Sequence, residues 1–230
     1  NRNLEKHMDL SDEYWGNDLI VWPEAAITLF GGEAQRAVAM LGEKALQTKT
    51  NFISGIPTLD PADGSNKNSL IAIGQGLGTY SKQHLVPFGE YVPFESLLRG
   101  VIGFFDLPMS RMSPGSARQG NLSIVIDGEF SEVSPAICYE IAYGESLRKR
   151  SIESSAIITV SNDTWFGRTN GPWQHLQIAR VRALENAKPV IRATNNGVTA
   201  VIDKNGAIVD TLLQFSSGVL RSEVSLAQGR

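Results

Sequence analysis

The feature that most constrains the fold is a series of short runs rich in Ile, Val and Ala, each of which ends in turn or polar residues. Several runs do not alternate apolar with polar residues, which is typical of strands that are covered on both faces. We therefore predict strands that are buried within a layered domain. The predicted strands are residues 18–24, 51–57, 68–74, 122–128, 132–140, 155–163, 188–196 and 198–203.

Patterns of helical period lie between some of these strands. Residues 33–48 and 171–188 each carry an apolar stripe, and residues 144–151 form a shorter candidate helix. The stripes consist of Ala37, Val38, Leu41 and Ala45 in the first helix and of Leu176, Val181 and Leu184 in the second. Residues 203–210 have the pattern of a late hairpin. Strands that alternate with helices predict an α/β fold class.

Composition argues against several classes of function. The chain has 230 residues, of which 42% are hydrophobic and 20% are charged, which is typical of a globular protein with a buried core. Its net charge of -3 gives no electrostatic footprint for nucleic acid, and no run approaches the roughly 18 apolar residues of a membrane helix. The three histidines lack the close spacing of a metal site. Residues 74–78 are rich in glycine but lack the helix of a phosphate-binding loop, so we expect a hairpin turn there and no cofactor.

Residues 93–116 fit neither the strand pattern nor the helix pattern of the rest of the chain. They are apolar and aromatic, yet they carry Gly, Pro and Ser where regular structure would avoid them. We predict a long arm or lid in this stretch. Phe104, Phe105 and Leu107 give residues 94–112 more apolar surface than a solvated loop normally presents, so we expect this arm to contact lipid.

Three segments end in side chains that could together transfer an acyl group. Glu24 follows a predicted strand, Lys82 and Glu90 belong to a segment broken by Pro and Gly, and Cys138 is the only cysteine of the chain. α/β proteins usually place their sites at the carboxyl ends of strands. A carboxylate can take the proton of a thiol, and a lysine can stabilise the oxyanion of a tetrahedral intermediate.

Each of these residues also has an ordinary structural interpretation. Cys138 could be a small core residue, and Glu24 could be a helix cap or a surface charge. We expect a structural role for His175. A peptidase-like site that uses His84 or His175 as its base is a further alternative.

The sequence around these residues resembles the nitrilase superfamily. The phrases "WPE", "ICYEI" and "SNDTWFG" carry the general resemblance. The phrases "HLVPFGEYVP" and "RATNNGVTAVID" are more particular and resemble the apolipoprotein N-acyltransferase branch of that superfamily. The resemblance runs from about residue 19 to about residue 215, which is nearly the whole chain.

The resemblance implies roles for individual residues. Glu24 would be the general base, Lys82 the oxyanion-stabilising cation and Cys138 the nucleophile. Supporting positions would be Glu90, which helps to hold the lysine, and Tyr139 and Glu140, which follow the nucleophile. The backbone N–H of Tyr139 is a candidate oxyanion donor.

The resemblance also implies an architecture, a four-layer α-β-β-α sandwich of the nitrilase type. Residues 1–230 would form the catalytic domain of a larger membrane enzyme, on the periplasmic face of the bacterial inner membrane. We expect the chain to lack the first strand of the sandwich and the bundle of transmembrane helices. Residues 1–14 would then be the first helix of the domain.

The activity implied by the resemblance is an acyl transfer in two steps. Cys138 would take an acyl chain from a phospholipid as a thioester and pass it to the α-amine of the N-terminal diacylglyceryl-cysteine of an apolipoprotein. One alternative is a soluble nitrilase-superfamily amidase that hydrolyses a small C–N substrate. Another is a catalytically silent binding module attached to a membrane protein.

Overall fold

The computed structural model describes residues 2–91 and 112–227, which form two sheets with helices on their outer faces. The helices are α1 (Arg2–Ser11), α2 (Gly31–Gln47), α3 (Gly144–Ser151) and α4 (Gly171–Asn186), with 3-10 helices at Asp12–Tyr14, Cys138–Ala142 and Asp163–Phe166. The strands are β1 (Leu19–Val21), β2 (Asn51–Leu59), β3 (Asn66–Gly74), β4 (Gly78–Ser81), β5 (Leu122–Ile126), β6 (Glu129–Ile137), β7 (Ala156–Asn162), β8 (Val190–Asn195), β9 (Thr199–Ile202) and β10 (Ile208–Leu212).

The first sheet has the strand order β1-β2-β3-β4. β1 runs parallel to β2, and β2, β3 and β4 form an antiparallel meander. The glycine-rich residues 74–78 make the turn between β3 and β4, so the predicted hairpin turn is confirmed. Gly74 and Gly78 both have positive φ angles, 78° and 124°, which glycine adopts without the steric cost of a Cβ.

The second sheet has the strand order β10-β9-β8-β7-β6-β5. Its central strands β6, β7 and β8 are parallel, and the remaining pairs are antiparallel. Because parallel strands end at the same edge of a sheet, the residues that follow β6 and β7 are brought close together. The predicted hairpin near residues 203–210 is the antiparallel pair of β9 and β10.

Three apolar clusters separate four layers. One lies between α1, α2 and the first sheet, around Leu41 and Phe52. The second lies between the two sheets, around Tyr80 and Ile137. The third lies between the second sheet, α3 and α4, around Leu147. The order of layers is therefore α-β-β-α, as the resemblance implied.

The predicted apolar stripe of α4 is wrong in two of its three positions. Leu176 is buried, but Val181 and Leu184 are 45% and 60% exposed. The buried stripe contains Ala179 and Ala183, which share one face with Leu176 because they are three and seven residues further along the helix. Small residues allow α4 to pack closely on the sheet. The sequence pattern assigned the larger apolar side chains to the buried face instead.

Most of the predicted arm lies outside the described residues. The structure describes Met112 and the residues after it, but not residues 92–111, so the expectation for residues 94–112 stays a prediction. In the ranges 2–91 and 112–227, no helix combines the length and the apolar character needed to cross a bilayer.

Gly55 lies in β2 where the strand passes directly under the segment that carries Glu24. The Gly55 N–H donates to Pro23 O at 3.3 Å, and Gly55 O accepts from the Ile27 N–H at 3.2 Å. A Cβ at position 55 would stand 2.5 Å from the backbone N of Ala25 and 2.7 Å from the Cα of Glu24. Glycine is required here because a side chain would displace the backbone around Glu24.

We predict that Gly55→Ala lowers the free energy of unfolding by about 1–3 kcal/mol, the usual cost of overpacking a core. Gly42→Ala is the matched control. A Cβ at Gly42, within α2, would meet only Ile73 at 3.8 Å, so alanine should stabilise the helix by about 0.5–1 kcal/mol. Urea unfolding of the two variants should therefore show shifts of opposite sign, and a stabilised Gly55→Ala would contradict this account of β2.

Candidate active site

Residues from both sheets meet at one end of the sandwich. Glu24 follows β1 and Lys82 follows β4 of the first sheet, whereas Cys138 follows β6 of the second. Asn162, the last residue of β7, donates its backbone N–H to Glu24 Oε2 at 2.7 Å. The candidate site therefore lies where the ends of the two sheets are in direct contact.

The Glu24 side chain is held in a buried position. The residue is 7% exposed, and its Oε1 accepts a hydrogen bond from Asn68 Nδ2 at 2.7 Å. Its backbone carbonyl accepts from Asn195 Nδ2 at 2.8 Å. Burial raises the pKa of Glu24, although Lys82 and the two hydrogen bonds to the carboxylate oppose the shift. A raised pKa makes the carboxylate a better proton acceptor.

Lys82 is a buried cation between two carboxylates. It is 1% exposed, and its Nζ lies 2.8 Å from Glu90 and 3.7 Å from Glu24 Oε1. Burial disfavours the charged ammonium, but the negative charges of Glu24 and Glu90 and the hydrogen bond to Glu90 outweigh it, so that the pKa of Lys82 is raised. Lys82 is therefore a permanent positive charge at neutral pH.

Glu90 has the position expected of a residue that holds the lysine. Its Oε1 accepts from Asn68 Nδ2 at 3.1 Å, and its Oε2 accepts from the Val86 N–H at 2.8 Å. Asn68 thus bridges Glu90 and Glu24 with one amide group. The two carboxylates and the ammonium of Lys82 form one hydrogen-bonded cluster.

Cys138 stands at a sharp turn between β6 and the 3-10 helix Cys138–Ala142. Its φ angle is 52°, a left-handed conformation that is uncommon for a residue other than glycine. Burial and the nearby negative charge of Glu24 raise the pKa of the Cys138 thiol to about 12, against the opposing effect of Lys82. The resting thiol is therefore protonated at neutral pH and needs a base before it can act as a nucleophile.

Glu140 ties the turn at Cys138 to the segment that follows Lys82. This carboxylate is completely buried and accepts four hydrogen bonds. Its Oε2 accepts from the Ile137 N–H at 2.9 Å. Its Oε1 accepts from Tyr80 Oη at 2.8 Å, from the Gln83 N–H at 2.7 Å and from the His84 N–H at 3.2 Å. Glu140 supports the geometry of the site through the backbone.

Tyr139 presents its ring at the surface. The residue is 43% exposed, and its ring packs edge to face on Tyr143 at a centroid distance of 5.2 Å. Its backbone N–H is the second of the 3-10 helix Cys138–Ala142, and the leading N–H groups of a helix have no acceptor within their own helix.

A second buried polar cluster lies behind Cys138 and was not predicted as part of the site. Asp163 Oδ1 lies 3.0 Å from His175 Nδ1 and also accepts a hydrogen bond from Ser161 Oγ. Asp163 Oδ2 accepts from Arg192 Nη2 at 2.6 Å. The ring of His175 also reaches Cys138, because its Nε2 lies 3.0 Å from Cys138 O.

Sequence reasoning could have found part of this second cluster. Arg192 lies inside the largely apolar strand β8, and Asp163 directly follows the largely apolar strand β7. Both residues are 1% exposed or less. Opposite charges inside neighbouring buried strands rarely occur unless they pair. Asn68 had no comparable signal, because a polar residue near the start of β3 is compatible with an exposed strand end.

The geometry argues against His175 as the base of a peptidase-like site. Both ring nitrogens of His175 already lie within hydrogen-bond distance of Asp163 and Cys138 O, so neither is available to the thiol. The ring of His84 stacks on Tyr143 at a centroid distance of 4.0 Å. The expected structural role for His175 stays a prediction.

Curated proteins named apolipoprotein N-acyltransferase are similar to this chain. The protein of Pseudomonas paraeruginosa is 46% identical over 229 residues, which cover 98% of this chain and 44% of that protein. The protein of Vibrio vulnificus is 45% identical over an alignment that is 237 residues long. This alignment covers 99% of this chain and 46% of that protein. The chain therefore spans less than half the length of these relatives.

Solved structures share the fold at low identity. Nit3 of Saccharomyces cerevisiae, a member of branch 10 of the nitrilase superfamily, has a TM-score of 0.65 at 21% identity, over 93% of this chain and 79% of that chain. A CN-hydrolase superfamily protein of Xanthomonas campestris has a TM-score of 0.67 at 20% identity, over 100% and 82% of the two chains. The four layers described above are thus those of the nitrilase superfamily.

The resemblance inferred from sequence phrases is confirmed by these comparisons. The family profile for carbon-nitrogen hydrolases matches residues 1–230, and the chain belongs to the carbon-nitrogen hydrolase family.

Proposed function

We propose that this chain is the catalytic domain of an acyltransferase that acts on lipoproteins. The observation that carries the proposal is the buried cluster in which Lys82 contacts Glu24 and Glu90 beside the turn at Cys138. A base, a cation and a thiol in one water-poor site form the set that acyl transfer needs. The name shared by the relatives, apolipoprotein N-acyltransferase, supports this activity over others of the family.

In the first proposed step, Glu24 takes the thiol proton while the sulfur of Cys138 attacks the ester carbonyl of a phospholipid. The negative charge moves to the carbonyl oxygen, where Lys82 and the Tyr139 N–H stabilise it. When the tetrahedral intermediate collapses, the C–O bond breaks and Glu24 returns the proton to the leaving alcohol. The products are a lysophospholipid and a thioester on Cys138.

In the second proposed step, the α-amine of a diacylglyceryl-cysteine attacks the thioester. Glu24 accepts a proton from the amine, the C–S bond breaks, and the proton returns to the sulfur of Cys138. The product is an amide, which is more stable than the thioester it replaces. Each step uses the same base and the same oxyanion donors, so the site needs no rearrangement between them.

Location and substrates belong to the same proposal. The relatives are about twice as long as this chain, and we propose that the remaining part anchors the enzyme in the bacterial inner membrane with residues 1–230 on the periplasmic face. Contact of residues 94–112 with the bilayer remains a prediction from the sequence. The alternative of a small-substrate amidase is not favoured, because the relatives carry the acyltransferase name.

Removing the base or the cation should reduce turnover strongly. We expect Glu24→Gln and Lys82→Met in the full-length protein each to lower the rate of acyl transfer by about 100-fold or more. Lys44→Met is the matched control, because Lys44 pairs with Asp12 at 2.8 Å on the exposed surface. An active Lys82→Met variant beside an inactive His84→Ala variant would overturn the assignment in favour of a histidine base.

The acyl-enzyme should accumulate when the acceptor is missing. Incubated with phospholipid alone, the full-length protein should gain the mass of one fatty acyl chain on the peptide that contains Cys138, because the site shields the thioester from water. Hydroxylamine should remove this mass, and Cys138→Ala should never gain it. Mass spectrometry of digested protein makes the measurement. A folded protein that phospholipid leaves unmodified would contradict the proposal.

The pH dependence of acylation should report the raised pKa of Glu24. The base is active only as a carboxylate, and activity is lost as the pH falls through its pKa. Since burial raises that pKa, the acid limb should lie above the ordinary glutamate value of 4.5. Single-turnover acylation of Cys138 across the acid range gives the profile. Glu24→Gln should abolish this limb, and a limb that persists in this variant would assign it to another group.

A further inference from the structure

The peptide between Cys138 and Tyr139 has a fixed orientation that matters for chemistry. In a planar trans peptide, the carbonyl of one residue and the N–H of the next point in opposite directions. Whatever holds Cys138 O therefore also fixes the direction of the Tyr139 N–H. Cys138 has a φ angle of 52°, so the backbone that leads into this peptide has an uncommon conformation that its surroundings must support.

The carbonyl of Cys138 is held by a side chain of α4. His175 Nε2 lies 3.0 Å from Cys138 O. A carbonyl oxygen can only accept a hydrogen bond, so Nε2 must carry the proton. His175 thus pulls the carbonyl toward α4, and the Tyr139 N–H points away from α4.

The ring of His175 is itself held by a buried carboxylate. Its Nδ1 lies 3.0 Å from Asp163 Oδ1, and Asp163 is also bound by Arg192 Nη2 at 2.6 Å. Although burial opposes the negative charge, the hydrogen bond from His175 and the charge of Arg192 lower the pKa of Asp163. Asp163 is therefore a hydrogen-bond acceptor that holds the His175 ring at Nδ1.

We propose that His175 is a positioning residue that, through the carbonyl of Cys138, aims the Tyr139 N–H at the oxyanion of the acyl-transfer intermediate. The inference rests on the proposed acyl transfer at Cys138. Asp163 and Arg192 hold the ring in place, so that the orientation is set before substrate arrives. A donor fixed in advance costs no reorganisation during the reaction.

The competing explanation is that His175 only satisfies a carbonyl of a short helix. Arg182 provides the matched control for that explanation. It also projects from α4, and its Nε donates to Ile141 O at 3.0 Å in the same 3-10 helix. Arg182 therefore caps the same turn but leaves the Cys138–Tyr139 peptide untouched.

The test compares two reactions of the same thiol in the full-length protein. Acylation of Cys138 by phospholipid or by a soluble nitrophenyl ester passes through an oxyanion, whereas alkylation by iodoacetamide does not. The variants are His175→Asn, which keeps a group near Asp163 but cannot reach the carbonyl, and His175→Gln, which can place an amide N–H at the former Nε2 position. Arg182→Met is measured in parallel, and circular dichroism gives the folded fraction.

We expect His175→Asn to slow acylation by about 100-fold, the usual loss for one oxyanion donor, while alkylation changes little. His175→Gln should recover a large part of the lost acylation rate. Arg182→Met should leave the ratio of the two rates at the wild-type value. If His175→Asn does not fold, Asp163→Glu, which shifts the ring without removing its donors, should show the same selective loss of acylation.

The inference is overturned if His175→Asn slows acylation and alkylation equally, or if His175→Gln is as slow as His175→Asn. A wild-type protein that reacts with the nitrophenyl ester but not with phospholipid would contradict the proposed acyl donor alone. The role of His175 would then be judged from the rates with the nitrophenyl ester.

Discussion

The candidate site depends on one buried interaction, the contact of the Lys82 ammonium with the carboxylates of Glu24 and Glu90. Removing a charge from water costs several kcal/mol per ion, and only close partners of opposite sign offset that cost. Two carboxylates and one ammonium leave the cluster with a net charge of -1. Hydrogen bonds from Asn68, the Val86 N–H and the Asn162 N–H supply the remaining stabilisation. Loss of Lys82 would leave two carboxylates without a cation in the interior.

Packing of the two sheets sets the geometry of this cluster. Glu24 belongs to the first sheet but is held by Asn162 and Asn195 of the second. Asn51 makes a similar link elsewhere, since its side chain exchanges two hydrogen bonds with the backbone of Val125 across the sandwich. A small slip of one sheet on the other would therefore separate Glu24 from Cys138. Gly55 of β2 lies close to the backbone of Glu24, so the position of β2 must also be maintained for Glu24 to keep its place.

The sequence predicts the layers of this fold better than it predicts the contacts of the site. Apolar runs bounded by turn residues locate the strands, because burial on both faces leaves a continuous apolar signal. In α4 the apolar pattern predicts the wrong buried face, since Ala179 and Ala183 are buried whereas the larger Val181 and Leu184 are exposed. Which carboxylates contact Lys82 depends on packing between segments that are distant in sequence. No local pattern encodes that packing, so the resemblance to a family, rather than residue spacing, supplied those roles.

Charged groups lie on both sides of Cys138. The cluster of Lys82, Glu24 and Glu90 carries -1, whereas Asp163 and Arg192 form a buried ion pair whose charges cancel. In the proposed acyl transfer, Glu24 takes the thiol proton and its negative charge is transferred to the reacting group, so the net charge of the site does not change. In the proposed mechanism, the new oxyanion lies between Lys82 and the peptide that joins Cys138 to Tyr139, whose carbonyl is held by His175. A thiol whose pKa is about 12 can therefore react at neutral pH, because it never has to exist as a free thiolate.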